Sequence, residues 1–228
     1  ETKDYKKRFS EKVILSDSLP MFYYKPKVKN LLKEDQINKT NIYSCPQTLF
    51  KLHPDFDKII EGIQREDKNS VFYFIKDPKK TLYKIFIDRL KKNPKINLDK
   101  IIFLENMNWE EYINHCGEAS VLLDPLFFGA GNSFYESLFY GTPTISLPTD
   151  YTKSRLVLGA YNQIDISDLK LKPIVNNIDE YIDRSVAVAN DKNLLELKKI
   201  LQAKAGRNLY EYNKSISDLD KVFKKIVN

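Results

Sequence analysis

The chain has 228 residues, of which 42% are hydrophobic and 30% charged, a composition typical of a globular protein that buries a sizeable core. No apolar run approaches the ~20 residues that a membrane-spanning helix needs, and no apolar leader follows the N-terminus. The formal net charge is +6, but the basic residues are mostly lysines scattered along predicted helices, which argues against a nucleic-acid-binding surface.

Cysteine and histidine are too scarce for a disulfide framework or a histidine-based metal site. The chain contains two cysteines, Cys45 and Cys116, and two histidines, His53 and His115. We therefore predict no metal, no cofactor and a reducing, cytoplasmic setting.

Residues 1–40 are irregular and rich in charge, and we interpret them as a linker or edge segment from a preceding lobe. From residue 41 onward, apolar segments of strand length alternate with segments of helical periodicity, which predicts one domain over 41–228. Strands are predicted at 42–45, 71–75, 101–104, 121–124 and 144–147, and helices at 54–65, 79–92, 109–118, 132–140 and 152–162. Three more helices, separated near Asp191 and Gly206, are predicted over 177–228.

This alternation predicts an α/β fold with a parallel sheet and helices on both faces. The continuous apolar run at 71–75 predicts a strand that is buried on both faces.

Three of the seven glycines fall within thirteen residues, where a predicted strand gives way to a helix. Gly129 and Gly131 favour a tight turn that lies close to a ligand. Asn132 or Ser133 is expected to cap the helix that follows, whose N-terminus favours an anion such as phosphate. In an open α/β sheet, ligands bind beside such turns at the carboxyl ends of the strands.

Two charged residues extend this hypothesis to a nucleoside diphosphate. Glu136 lies about one helical turn after Asn132, where a carboxylate can accept hydrogen bonds from vicinal ribose hydroxyls. Lys51 lies in the loop before Pro54, on the same rim of the predicted sheet, where an ammonium group can neutralise a departing diphosphate. The glycine pattern is neither the dinucleotide G-x-G-x-x-G, because residue 134 is Phe, nor a P-loop.

Two blocks of residues carry a family resemblance. The first is Tyr43-Ser44-Cys45-Pro46-Gln47, Leu49-Phe50-Lys51 and Pro54; the second is Asp124-Pro125, Gly129-Ala130-Gly131-Asn132-Ser133, Tyr135-Glu136, Gly141-Thr142-Pro143 and Ser154-Arg155. In order and spacing they resemble the C-terminal catalytic lobe of the O-GlcNAc transferase family, including its bacterial SPINDLY-like members. The resemblance implies a GT-B fold, in which this chain is the Rossmann-like, nucleotide-sugar-binding lobe with a helical C-terminal tail.

The resemblance also implies roles for individual residues. Lys51 would be catalytic, assisting the departure of UDP, and Glu136 would bind the ribose. The remaining substrate-binding positions are Thr48, Gly131, Asn132 and Ser133 at the phosphates and Met107 at the uracil. This sequence departs from the family at Gly131, where animal enzymes carry a histidine, and at Trp109, which replaces a basic residue near the base.

The leading hypothesis is the donor-binding lobe of an inverting glycosyltransferase. It would transfer a sugar, GlcNAc, from a UDP-sugar to Ser/Thr hydroxyls of a protein or peptide acceptor, without a metal, a nucleic acid or a membrane. The family's N-terminal lobe is missing and the chain does not begin with Met, so we expect either a fragment or a truncated homologue. The alternative is a nucleotide- or partner-binding module without catalysis of its own.

Several polar residues are predicted to be structural rather than catalytic. His53 is expected to cap a helix or pack at the sheet rim, and His115, on an amphipathic helix, to have a structural role. Glu110 and Glu111 suit a solvated first helical turn, because neighbouring residues point about 100° apart on a helix. Asp124 is expected to shape the loop that leads to Gly129.

Overall fold

The computed structural model describes residues 4–29 and 40–227. Within them, one parallel sheet has the strand order β3-β2-β1-β4-β5. The strands are β1 Asn41–Cys45, β2 Ser70–Ile75, β3 Ile101–Leu104, β4 Val121–Leu123 and β5 Thr144–Ile145. The order reverses between β1 and β4, and ligands bind beside the carboxyl ends of the strands at such a reversal. The predicted fold class is confirmed.

Eight α-helices accompany these strands in the described part of the chain. They are α1 Phe56–Glu66, α2 Thr81–Leu90, α3 Trp109–Glu118, α4 Asn132–Ser137, α5 Leu156–Ile164, α6 Ile178–Ala189, α7 Leu194–Asn208 and α8 Asn213–Val227. Short 3-10 helices lie at Tyr5–Arg8, Leu49–Lys51, Leu98–Lys100 and Thr152–Ser154. None of the helices at 4–29 and 40–227 combines the length and apolarity that crossing a bilayer requires.

Helices cover both faces of the sheet because alternate β1 side chains point in opposite directions. Tyr43 and Cys45 face the large core formed with α1 and α6. Ile42 packs on the other face with Ala119 and Leu122, beside α3. The predicted two-sided arrangement is therefore present.

Strand β2 differs from the prediction of burial on both faces. Its residues alternate between buried and half-buried, with Phe72 and Phe74 in the core and Tyr73 on the other side. The face that carries Tyr73 meets only a small apolar cluster, so it is covered incompletely.

Helix boundaries in the C-terminal half also differ from the sequence prediction. The helix expected at 152–162 is a 3-10 turn at Thr152–Ser154 followed by α5 Leu156–Ile164. The helix expected at 132–140 ends at Ser137, and turns lead from there to Gly141. Helix α7 runs through Gly206, and the break falls at 209–212 instead. A single glycine is tolerated in a helix interior at modest cost, which is why Gly206 does not end α7.

Residues 18–23 contact α5, α8 and the turn between α7 and α8. The Ser18 hydroxyl donates to Asp218 of α8 at 2.8 Å, and the Leu19 N–H donates to the Gln163 side chain of α5 at 2.8 Å. Tyr23 forms an isolated β-bridge with Tyr210. The origin of the segment 1–40 in a preceding lobe stays a prediction, and its residues 1–3 and 30–39 lie outside the described residues.

Candidate functional site

The loops that follow β1 and β4 meet at the carboxyl edge of the sheet. The Lys51 ammonium group donates to Gln47 Oε1 at 2.9 Å and to the Gly129 carbonyl oxygen at 3.3 Å. The Gln47 amide in turn donates to the hydroxyl of Ser133 on α4. The tertiary structure thus brings together Lys51 and the start of α4, which the sequence predicted to share one ligand.

Lys51 is half-buried, with its Nζ atom 4.4 Å from the centre of the Phe128 ring. Burial lowers the pKa of Lys51, whereas the nearby Asp124 and Cys45 act to raise it. A partly desolvated ammonium group attracts an anion more strongly than one surrounded by water. This environment suits an ammonium group that binds phosphate.

The Asp124 carboxylate supports the loop behind Lys51. It accepts the Ala130 N–H at 2.6 Å and the Ser146 hydroxyl. Burial raises the pKa of Asp124 to about 7, although these hydrogen bonds and the Lys51 charge act to lower it. The predicted role of Asp124 in shaping the loop that leads to Gly129 is confirmed.

The glycines of this loop have different surroundings. A Cβ atom at Gly129 would lie 3.0 Å from both Asp124 carboxylate oxygens, so this glycine permits a close approach of the loop to Asp124, and its approach to a ligand stays a prediction. A Cβ atom at Gly131 would make an ordinary 3.6 Å contact with Leu156. The left-handed glycine is Gly141, with φ of 67°.

The start of α4 also corrects the sequence analysis. Gly131 occupies the N-cap position, and Asn132 is the first helical residue. The Ser133 hydroxyl accepts from Gln47 instead of capping the helix. Neither predicted cap is therefore used, because Gln47 from another loop engages one of the two side chains.

Glu136 lies on α4, three residues after Ser133, which is about 4.5 Å along the helix axis. Its Oε1 accepts the indole N–H of Trp109 at 3.0 Å. Burial, the Glu136 charge and a hydrogen bond to Glu136 together raise the pKa of Tyr23 to about 12. Glu136 is therefore a hydrogen-bond acceptor that interacts with two aromatic residues, Trp109 and Tyr23, on the same helix as Ser133.

The remaining predicted positions border this area. Thr48 is exposed at the start of the 3-10 helix that carries Lys51, and Asn132 is exposed at the tip of α4. Met107 is half-buried between β3 and α3, two residues before Trp109. All three lie beyond the carboxyl ends of parallel strands, on the rim that the sequence predicted.

The polar residues that were predicted to be structural rather than catalytic make contacts within the fold. The His53 Nδ1 accepts the Asp55 N–H at 3.2 Å. His115 is buried, with its Nε2 3.2 Å from the Ser44 hydroxyl oxygen. Glu111 forms a reciprocal capping box with Asn108 at the start of α3. Each of these contacts agrees with the prediction.

Sequence reasoning assigned no role to Gln47 or Tyr23. Gln47 stands four residues before Lys51 in the same loop, a spacing that would have suggested contact. Tyr23 is separated from Glu136 by more than a hundred residues, so no local pattern joins them.

Comparison with known proteins gives one family match. A model described as glycosyl transferase family 41 matches residues 29–219. A curated protein of Arabidopsis thaliana, named probable UDP-N-acetylglucosamine–peptide N-acetylglucosaminyltransferase SEC, is 23% identical over 237 residues, covering 96% of this chain and 23% of that protein. The chain therefore spans about a quarter of the length of this curated relative.

Solved structures show the same fold. An O-GlcNAc transferase mutant from Thermobaculum terrenum superposes with a TM-score of 0.75 at 15% identity, covering 89% of this chain and 38% of that chain. A TarM mutant from S. aureus, in complex with fondaparinux, alpha-GlcNAc-glycerol and UDP, superposes with a TM-score of 0.61 at 15% identity, covering 96% of this chain and 40% of that chain.

Proposed function

The chain belongs to glycosyl transferase family 41, and on this premise we propose that it is the donor-binding lobe of an inverting glycosyltransferase. The donor is a UDP-sugar, UDP-GlcNAc, and the acceptors are Ser/Thr hydroxyls of proteins or peptides. The activity in the name of the plant relative and the UDP in the TarM complex support these choices. A lobe that supplies the acceptor site would complete the enzyme.

The bridge from Lys51 through Gln47 to Ser133 is the observation that carries the proposal. It concentrates one positive charge and two polar side chains at the strand-order reversal, where a diphosphate fits. Glu136, one turn along α4, then accepts hydrogen bonds from the ribose. Lys51 and Glu136 would then contact the diphosphate and the ribose, which are neighbours in the donor.

Transfer breaks the bond between the anomeric carbon of the sugar and the β-phosphate oxygen while the acceptor oxygen attacks the opposite face. Negative charge then grows on the departing diphosphate. Lys51 stabilises that charge, and its partial desolvation strengthens the interaction in the transition state. The acceptor hydroxyl passes its proton to solvent as the new bond forms, and the configuration at the anomeric carbon inverts.

Lys51→Ala tests this function in the complete polypeptide that the gene encodes. We expect turnover of UDP-GlcNAc with a protein acceptor to fall about 10²–10³-fold, as on removal of one preorganised charge. Lys92→Ala is the control. Lys92 is exposed just after the C-terminal end of α2 and so lies toward the amino ends of the strands, away from the carboxyl ends where Lys51 lies. Equal losses in both variants would contradict the role of Lys51. UDP binding without any turnover would favour the non-catalytic alternative.

A further inference from the structure

Gly129 connects Lys51 to a second lysine through its two backbone groups. Its carbonyl oxygen accepts from the Lys51 ammonium group at 3.3 Å. Its N–H donates to the Lys153 carbonyl oxygen at 3.0 Å. One residue therefore fixes the loop after β4 against the 3-10 helices that follow β1 and precede α5.

The side chain of Lys153 contacts the same aromatic ring as the side chain of Lys51. Its Nζ atom lies 5.3 Å from the centre of the Phe128 ring, and the Lys51 Nζ atom lies 4.4 Å from that centre. Both distances fall within the range of a cation–π attraction. The Phe128 ring, which is 38% exposed, is thus contacted by two ammonium groups at an open surface.

The loop that presents Phe128 has an unusual conformation. The preceding residue, Phe127, has φ of 66°, a left-handed conformation that is rare for a bulky side chain. Its ring makes an edge contact with His53 at 4.8 Å between ring centres. Backbone strain of this kind persists where surrounding contacts hold it and is concentrated at ligand sites.

The acidic residues nearby are engaged elsewhere. Asp150, in the loop before Lys153, forms a salt bridge with Arg8 at 2.8 Å. Asp124 is buried and binds the Ala130 N–H and the Ser146 hydroxyl. Two ammonium groups beside one ring attract an anion with two or more charges more strongly than one with a single charge.

We propose that Lys153 is a second diphosphate-binding residue, which acts with Lys51 across the Phe128 ring. The inference rests on the proposed function and extends it. Lys51 binds the diphosphate from the floor of the site, and Lys153 binds it from the loop before α5. The pair selects a nucleoside diphosphate over a monophosphate.

Calorimetric titration of the 228-residue chain with inorganic pyrophosphate, UDP and UMP tests the pair. We expect Lys153→Ala to weaken binding of UDP and pyrophosphate about five- to tenfold and binding of UMP by a smaller factor, since a charge-assisted contact to one phosphate is lost. Lys153→Arg should restore most of the UDP affinity because it keeps the charge. Lys92→Ala should bind all three as the wild type does.

The outcomes separate the two proposals. Wild-type binding of pyrophosphate that Lys153→Ala weakens, without any binding of UDP, would support the lysine pair and contradict the nucleotide function. Wild-type binding of UDP that Lys153→Ala leaves unchanged would overturn the lysine pair and leave the nucleotide function standing. A loss of equal size for UMP and UDP would also overturn it, because a merely structural role affects both ligands alike.

Discussion

Gln47 and Ser133 are hydrogen-bonded across the gap between the loop after β1 and the start of α4. The same Gln47 side chain accepts from the Lys51 ammonium group at 2.9 Å. Gln47 is almost fully buried, so the bridge is shielded from water. It fixes the direction in which Lys51 points before any ligand arrives.

Gln47 variants test this bridge. Gln47→Ala should weaken UDP binding by about 0.5–1.5 kcal/mol, the typical net value of a hydrogen bond that orients a ligand group. Gln47→Glu should weaken it more, because a carboxylate beside Lys51 neutralises the charge that attracts phosphate. Calorimetry measures both, and affinities equal to the wild type in both variants would contradict the role of Gln47.

Glu136→Gln tests the ribose subsite. We expect UDP affinity to fall by about 1–3 kcal/mol, as on loss of a charged hydrogen-bond acceptor. The pKa of Tyr23 should also fall below about 12, because the Glu136 charge and hydrogen bond help to raise it. Calorimetry and ultraviolet titration of tyrosine give the two results. Glu196→Gln, at an exposed position on α7, is the control and should change neither.

The raised pKa of Asp124 predicts a specific pH dependence of the free energy of unfolding. Its pKa is raised in the folded state from 3.8 to about 7, so the folded protein keeps a proton that the unfolded chain releases. The stabilisation is complete below pH 3.8 and is lost as the pH rises through about 7. Urea denaturation of wild type and Asp124→Asn at several pH values measures it.

The free energy of unfolding of the wild type minus that of Asp124→Asn should therefore fall by on the order of 4 kcal/mol between acidic and neutral pH. Subtracting the free energy of the variant removes the contributions of the other titrating groups to the pH dependence. A difference that stays constant across this range would show that folding does not shift the pKa of Asp124.

Two glycine variants have opposite expected effects on stability. A Cβ atom at Gly141 would lie 1.9 Å from the Lys198 carbonyl oxygen, and φ there is 67°. Gly141→Ala should lower the free energy of unfolding by about 2 kcal/mol or more. Gly206 lies exposed inside α7 with no atom of the described residues within 4 Å of the added Cβ, so Gly206→Ala should raise it by about 0.5–1 kcal/mol. Equal effects in urea denaturation would contradict this assignment.

Local patterns in the sequence determined the elements of the sheet. The strand 101–104 and the helix 109–118 were predicted with the bounds that the structure has, because their apolar periodicity reports burial directly. Helix ends were predicted less well. α4 ends early, before the turns that lead to Gly141, and α7 continues past Gly206, since tertiary packing overrides local propensity.

The sequence by itself determined that Lys51 and Glu136 follow strands of one parallel sheet, and hence that they lie on one rim. The order of the strands in the sheet could not be predicted from the sequence. Because β2 and β3 lie on one side of β1 and β4 lies on the other, the loops that carry Gln47 and Ser133 become neighbours. Hydrogen bonds between loops distant in sequence depend on that order, so the bridge at Gln47 and the approach of Lys153 to Phe128 were decided by the tertiary structure alone.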